Sequence, residues 1–204
     1  MNKRGRLLVI SGPSGAGKGT ICAGVAEDME NVILSVSMTT RPMRAGEVHG
    51  ENYFFVTKEE FMDNIDRDGF LEHAQVYENY YGTPRENVFE MLDKGYDVVL
   101  EIDIQGAMKI KETCPEGVFI FILPPSMAEL RKRITGRGTD SDDVIELRLS
   151  EALSEIGYID KYDYCVVNGV VEEAVSRVEA IITAEHSRVT DDIYKVIDTY
   201  KEEI

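Results

Sequence analysis

Cysteine is scarce in this chain, positive charge is in deficit, and long apolar runs, internal repeats and low-complexity segments are missing. Each shortage excludes something. Cys22, Cys114 and Cys165 are odd in number and lack metal-ligand spacing, so they read as free thiols of a reducing compartment. That predicts a cytoplasmic location. Lys plus Arg is 22 against 38 for Asp plus Glu, a formal charge of −16 at pH 7. Such a surface repels a polyphosphate backbone, which argues against nucleic acid as a partner. No stretch approaches the roughly 18 apolar residues of a membrane-crossing helix, so no membrane partner is expected. The N-terminal MNKRGRLLVISG runs into a glycine-rich turn rather than a small-residue cleavage site, unlike a signal peptide.

What is present is the composition of a folded chain, 43% hydrophobic and 29% charged over 204 residues. That length suits one large domain or a core with small insertions. The most informative stretch is LVISGPSGAGKGT at 8–20. A β-branched apolar run suits a buried parallel strand. The glycines turn the backbone so that N–H groups face an anion, and the positive end of a following helix adds to them. Gly12, Pro13, Ser14, Gly15, Ala16, Gly17 and Lys18 fit G-x-x-x-x-G-K, a nucleotide-phosphate cradle. The next position is usually Ser or Thr; here it is Gly19, with Thr20 one further on. Thr20 either meets a magnesium ion, directly or through water, or only closes the loop.

Strand signals recur at 6–11, 32–36, 97–102, 117–123 and 163–167, with helical patterns at 18–29, 104–113, 126–136, 141–159 and 171–185. This alternation predicts an α/β fold with a parallel sheet covered on both faces, its ligand beyond the C-terminal strand ends. The core spans 5–36 and 97–186. The stretch 37–96 breaks the rhythm and reads as a small mixed α/β insertion. It holds the aromatic-rich segments NYFFV and FLEHAQVY. It also has a helix over 58–66 with Thr57 and Glu60 as a capping pair, and a second from Pro84 to Lys94. GRGTDSDD at 136–143 suggests a short lid. The tail at 187–204 has apolar residues at helical spacing, predicting an added helix that packs on the core or on another subunit.

The chemistry these residues suit is phosphoryl transfer, which needs positive charge around the moving group and an aligned acceptor. Lys18 can neutralise the outer phosphates, with Arg137 and Arg148 clamping from the lid and Arg133 nearby; Arg131 reads as a solvated charge. Asp103, ending VVLEID, suits magnesium or its waters, and Glu101 is two before it. Either acid could instead cap the helix that begins near Gly106. In SMTTRPMRAGEVHGENYFF, Arg41 and Arg44 offer forks for a dianionic phosphate, and Tyr53 a hydroxyl. Glu72, an acid in an apolar strand, could accept N1–H and N2–H₂ of guanine together; on the solvent face it would do nothing of the kind.

Five segments in order, SGPSGAGKGT, SMTTRPMRAGEVHGENYFFV, FLEHAQVYENYYGTP, LEIDIQG and RITGRGTDSDD, resemble guanylate kinases over about residues 5–186. The resemblance implies a P-loop NTPase core with a GMP-binding insertion and a lid. It implies transfer of the γ-phosphoryl of ATP to GMP with Mg²⁺. It matches Ser37, Glu72 and Thr83 to guanine contacts, and Arg41, Arg44, Tyr53 and Tyr81 to the GMP phosphate. Glu101 falls at the GMP side and Asp103 near nucleotide and metal. Lys18, Arg133, Arg137 and Arg148 fall around the ATP phosphates, and Asn168, in VVNG, near adenine. The family accepts Gly19 before Thr20. Two rivals are a small kinase for another phosphorylated acceptor and a non-catalytic guanylate-kinase-like interaction domain. The intact loop with Lys18 argues against the second, and Glu72 with Ser37 and Thr83 against the first. The tail is where the chain departs from the family pattern.

Overall fold

A computed structural model describes residues 4–136, 141–189 and 193–203. In chain order its elements are β1 (Leu7–Ser11), α1 (Lys18–Asp28), β2 (Val32–Leu34), β3 (Met38–Thr39), β4 (Phe54–Phe55), α2 (Lys58–Asp66), β5 (Phe70–Val76), β6 (Asn79–Pro84), α3 (Arg85–Asp93), β7 (Asp97–Glu101), α4 (Ile104–Thr113), β8 (Val118–Leu123), α5 (Met127–Thr135), α6 (Asp142–Ile156), β9 (Tyr164–Val167), α7 (Val171–His186) and α8 (Ile193–Glu202).

The central sheet is all parallel, in the order β2-β7-β1-β8-β9. Every residue of β1 is buried because helices cover both faces. Side-chain alternation sorts the core into two layers. Leu8, Ile10, Val99 and Ile120 pack with Ile21 and Val25 of α1 and Val178 and Ile182 of α7. Leu7, Val9, Val98 and Leu100 pack on the opposite face with Val88 and Leu92 of α3 and Ile110 of α4. A satellite cluster of Leu130, Ile134, Ile145 and Leu149 joins α5 to α6.

The insertion carries its own sheet, ordered β4-β3-β6-β5. Its β5–β6 pair is antiparallel and sets Glu72 opposite Thr83. Helix α2 opens on the expected capping box, Thr57 with Glu60. Three expectations are corrected. The strand at 32–36 stops at Leu34, and the helix at 141–159 stops at Ile156, before a single 3-10 turn. NYFFV contributes only Phe54 and Phe55, while β3 and β6 had no strand signal. Most of the expected lid, residues 137–140 with Arg137, lies outside the described residues. Helix α8 forms as its spacing predicts, but Ile193, Tyr194, Val196, Ile197 and Tyr200 are exposed rather than packed on the core.

Candidate active site

The phosphate loop joins β1 to α1 at the C-terminal edge of the sheet. Its last glycine, Gly17, is the N-cap of α1 at φ +92°, a left-handed conformation, and no side chain caps the helix. A Cβ there would also lie 2.4 Å from Asn168 Nδ2. The first N–H groups of α1 are thus left for an anion. Lys18 Nζ donates to the Gly12 carbonyl at 2.6 Å and the Pro13 carbonyl at 3.3 Å. Burial lowers the Lys18 pKa, against the upward pull of Glu101 and then Glu155. One turn on, burial, reinforced by Glu101, pushes the Cys22 thiol up to about 12, so it is packing rather than a nucleophile.

Three further residues grip the loop. Arg148 of α6 donates to Ser14 Oγ at 2.7 Å. Asn168, just after β9, donates from Nδ2 to the Ala16 carbonyl at 2.7 Å. Arg133 of α5 donates to the Asn168 carbonyl at 2.9 Å and to the Ala16 carbonyl at 3.4 Å. Arg133 and Asn168 therefore brace the loop from outside. Asn168 Oδ1 is buried with no hydrogen-bond partner among the described residues. Arg131 spends its charge on Glu146 of α6, as a solvated pair.

Glu101 ends β7 beside the loop. A Cβ built on Gly19 would lie 3.3 and 3.4 Å from its two carboxylate oxygens. A side chain at position 19 would press on Glu101, which gives the glycine a local reason. Asp103 caps α4, accepting from Gly106 N at 2.7 Å, so one of its oxygens is engaged as a helix cap. Among the described residues no group of three or more His, Cys, Asp and Glu is arranged to hold a metal ion.

Between the two sheets lies a small open cavity of about 170 Å³. Ser37, Asn52, Tyr53, Thr83 and Glu101 line it. Asn52 carried no signal in the sequence. Thr83 is buried and donates from Oγ1 to Glu72 Oε1 at 2.8 Å. The other Glu72 oxygen faces Gly106, where a Cβ would lie 3.3 Å away. Burial raises the Glu72 pKa, the Thr83 hydroxyl opposes that rise, and the charge of Asp103 adds to it. Tyr53 and Tyr81 meet edge to face, with ring centres 6.0 Å apart. Arg41 lies over Tyr53 and forms a bidentate pair with Glu47, an acid the sequence reading passed over. Arg44 is exposed, and its guanidinium makes no hydrogen bond or ion pair among the described residues.

A glycine loop feeding a helix from a parallel sheet, facing an inserted sheet that carries two arginines, defines a P-loop phosphotransferase of the nucleoside monophosphate kinase class. The guanylate kinase family model matches residues 4–185. A guanylate kinase from Clostridium perfringens is 58% identical over 188 residues, 92% of this chain and 87% of that protein. One from Latilactobacillus sakei is 51% identical over 205 residues, covering 100% of this chain and 99% of its own, so that alignment includes the tail. The crystal structure of guanylate kinase from Anaplasma phagocytophilum superposes with a TM-score of 0.76 at 36% identity, over 97% of this chain and 95% of the other. The chain belongs to the guanylate kinase family. It is an enzyme that transfers phosphoryl from ATP to GMP, giving ADP and GDP. No helix among the described residues is long and apolar enough to cross a membrane.

Proposed function

We infer that the reaction runs across a split site, with ATP on the phosphate loop and GMP in the cavity between the sheets. The observation that carries this reading is the position of Glu101, which borders both the cavity and the loop at Gly19. An acceptor in the cavity is therefore next to a donor on the loop, as in-line transfer requires.

On the donor side, the N–H groups from Gly12 to Thr20 cradle the ATP phosphates. Lys18 leaves its loop carbonyls for the β,γ-bridge, and Arg148, with Arg137, meets charge developing on the moving group. Arg133 and Asn168 hold the loop in shape for the nucleotide. Thr20 and Asp103 would hold a magnesium ion, directly or through water, and the ion would supply charge to neutralise phosphate oxygens. On the acceptor side, Glu72 accepts from the guanine N1–H and N2–H₂, with Ser37 and Thr83 beside it. Arg41, Arg44, Tyr53 and Tyr81 take the GMP phosphate, and Glu101 and Asp103 flank the acceptor.

Calorimetric binding of GMP and guanosine to the Arg44→Ala variant tests the acceptor half. The dissociation constant for GMP should rise at least roughly tenfold, the scale of losing one fork of a charge-assisted contact. Guanosine, which lacks the phosphate, should bind nearly as before. Equal losses for both would overturn the phosphate assignment.

A further inference from the structure

Residues Arg44 to Glu47 make a tight turn, with Glu47 N donating to the Arg44 carbonyl at 3.1 Å. Gly46 takes the left-handed position at φ +88° that such a turn demands. A Cβ on Gly46 would meet nothing within 4 Å, so the glycine serves conformation and not space. The turn sends the Glu47 carboxylate back onto Arg41. Oε1 accepts from Arg41 Nη2 at 2.7 Å, and Oε2 accepts from Arg41 Nη1 at 3.0 Å and from Arg44 N at 2.7 Å. Nη1 gives its other proton to the Pro42 carbonyl at 2.8 Å.

A guanidinium has five N–H donors in a rigid fork. Three are now assigned. The two left, on Nε and Nη2, lie side by side along one edge, and Tyr81 also interacts with the guanidinium through its side chain. The plane itself is confined, because the Tyr53 and Phe55 ring centres sit 5.5 and 5.6 Å from Arg41 Cζ. The Arg41 and Glu47 side chains are only 12% and 19% exposed, which shields the pair from water. The hydrogen bonds from Arg41 and then from Arg44 N–H hold the Glu47 carboxyl below the usual carboxylate range, so it stays ionised.

We propose that Glu47 is a positioning residue for the acceptor: it pins Arg41 so that only the Nε–Nη2 edge is offered to the GMP phosphate. This deepens the reading that Arg41 binds that phosphate and rests on it. A bidentate phosphate contact needs one edge at one angle. An unpinned arginine would lose rotamer freedom at the moment of binding, whereas Glu47 removes that freedom beforehand. A carboxylate so close also opposes the incoming dianion, so the sign of its effect is informative. A residue that merely filled the phosphate's place would bind GMP better when removed.

Steady-state kinetics on Glu47→Ala, Glu47→Gln, Arg41→Ala and the Arg41→Ala/Glu47→Ala double variant decide the matter, with inhibition by guanosine measured alongside. Glu47→Gln keeps the size and covers the case in which Glu47→Ala fails to fold. Both single Glu47 variants should raise KM for GMP about tenfold, the scale of coupling between contacting residues. KM for ATP and the guanosine inhibition constant should stay within about twofold, and in the Arg41→Ala background the Glu47 change should add almost nothing. A lower KM for GMP would overturn the proposal in favour of competition with phosphate. Parallel losses toward ATP, GMP and guanosine would overturn it in favour of a structural role, and so would a full effect of Glu47→Ala without Arg41. If Arg41→Ala itself leaves KM for GMP unchanged, the underlying phosphate assignment fails. If only the Glu47 variants are silent, that assignment survives and the positioning role falls.

Discussion

Glu72 occupies a place that a carboxylate would not choose for stability. Its pKa is raised by burial, only partly countered by the Thr83 hydroxyl. A carboxyl group raised on folding contributes its full stability below its unfolded pKa and loses it as pH rises through the folded value. When ionised, Glu72 is therefore a half-buried charge that works against the fold. The proposed recognition role supplies a reason, since guanine presents two adjacent donors and adenine an unprotonated nitrogen. Glu72→Gln should melt at an equal or higher temperature than the parent at pH 8, with that advantage fading toward pH 4. In the same variant one amide donor faces a guanine donor. The cost on GMP should be about 1–3 kcal/mol, the scale of an unpaired buried group. The amide can pair with adenine N1, so the ratio of kcat/KM for GMP over AMP should narrow from both sides. Loss on both nucleotides in the same proportion would leave base choice to Ser37 and Thr83.

Elements held by local physics were legible in the sequence. The central strands are continuous apolar runs because both their faces are buried, and the α2 capping box is a contact between residues three apart. Strand β6, NYYGTP, was not legible, because Pro84 reads as a helix start, Gly82 weakens a strand signal, and only pairing with β5 extends the segment. Nor were the braces of the phosphate loop. Arg133 and Asn168 reach Ala16 across the whole core, and no spacing rule links a residue to a carbonyl so distant in sequence. Glu47 was missed for a different reason: an acid neutralising an arginine looks like any solvated charge until the turn at Gly46 is seen. The brace between the β9–α7 junction and the loop before α1 can be tested as a unit. Asn168→Leu keeps the size, removes the 2.7 Å bond and leaves the Ala16 carbonyl with the 3.4 Å contact from Arg133. Urea unfolding should show a loss of about 1–3 kcal/mol, with a rise in KM for ATP and little change in KM for GMP. An unchanged KM for ATP would make the brace purely structural.

At the scale of the whole molecule, a chain of charge −16 must bring two anionic nucleotides together. On the proposed reading, its cations for that task are Lys18, Arg133 and Arg148 on the core and Arg41 and Arg44 on the insertion. The two are joined where α3 packs on the core through Val88 and Leu92, where Lys109 Nζ of α4 donates to the His73 carbonyl of β5 at 3.0 Å and where Glu72 meets Gly106. Arg44 is exposed. Transfer requires reacting atoms about 3–3.5 Å apart, and water at that point would turn transfer into hydrolysis. Closure of the insertion about the α4 side meets both demands. It carries Arg44 toward the loop and covers the acceptor, and the fixed edge of Arg41 travels with it. Full closure needs both charges bridged, because neither nucleotide alone spans the two cationic groups, and each alone closes the site only in part. Small-angle scattering should therefore give a smaller radius of gyration with an analogue that joins adenosine and guanosine through phosphates than with no ligand. ATP or GMP alone should give an intermediate value. With occupancy confirmed by calorimetry, an unchanged radius would mean that the two halves already stand at transfer distance, and that the cavity closes by side chains alone.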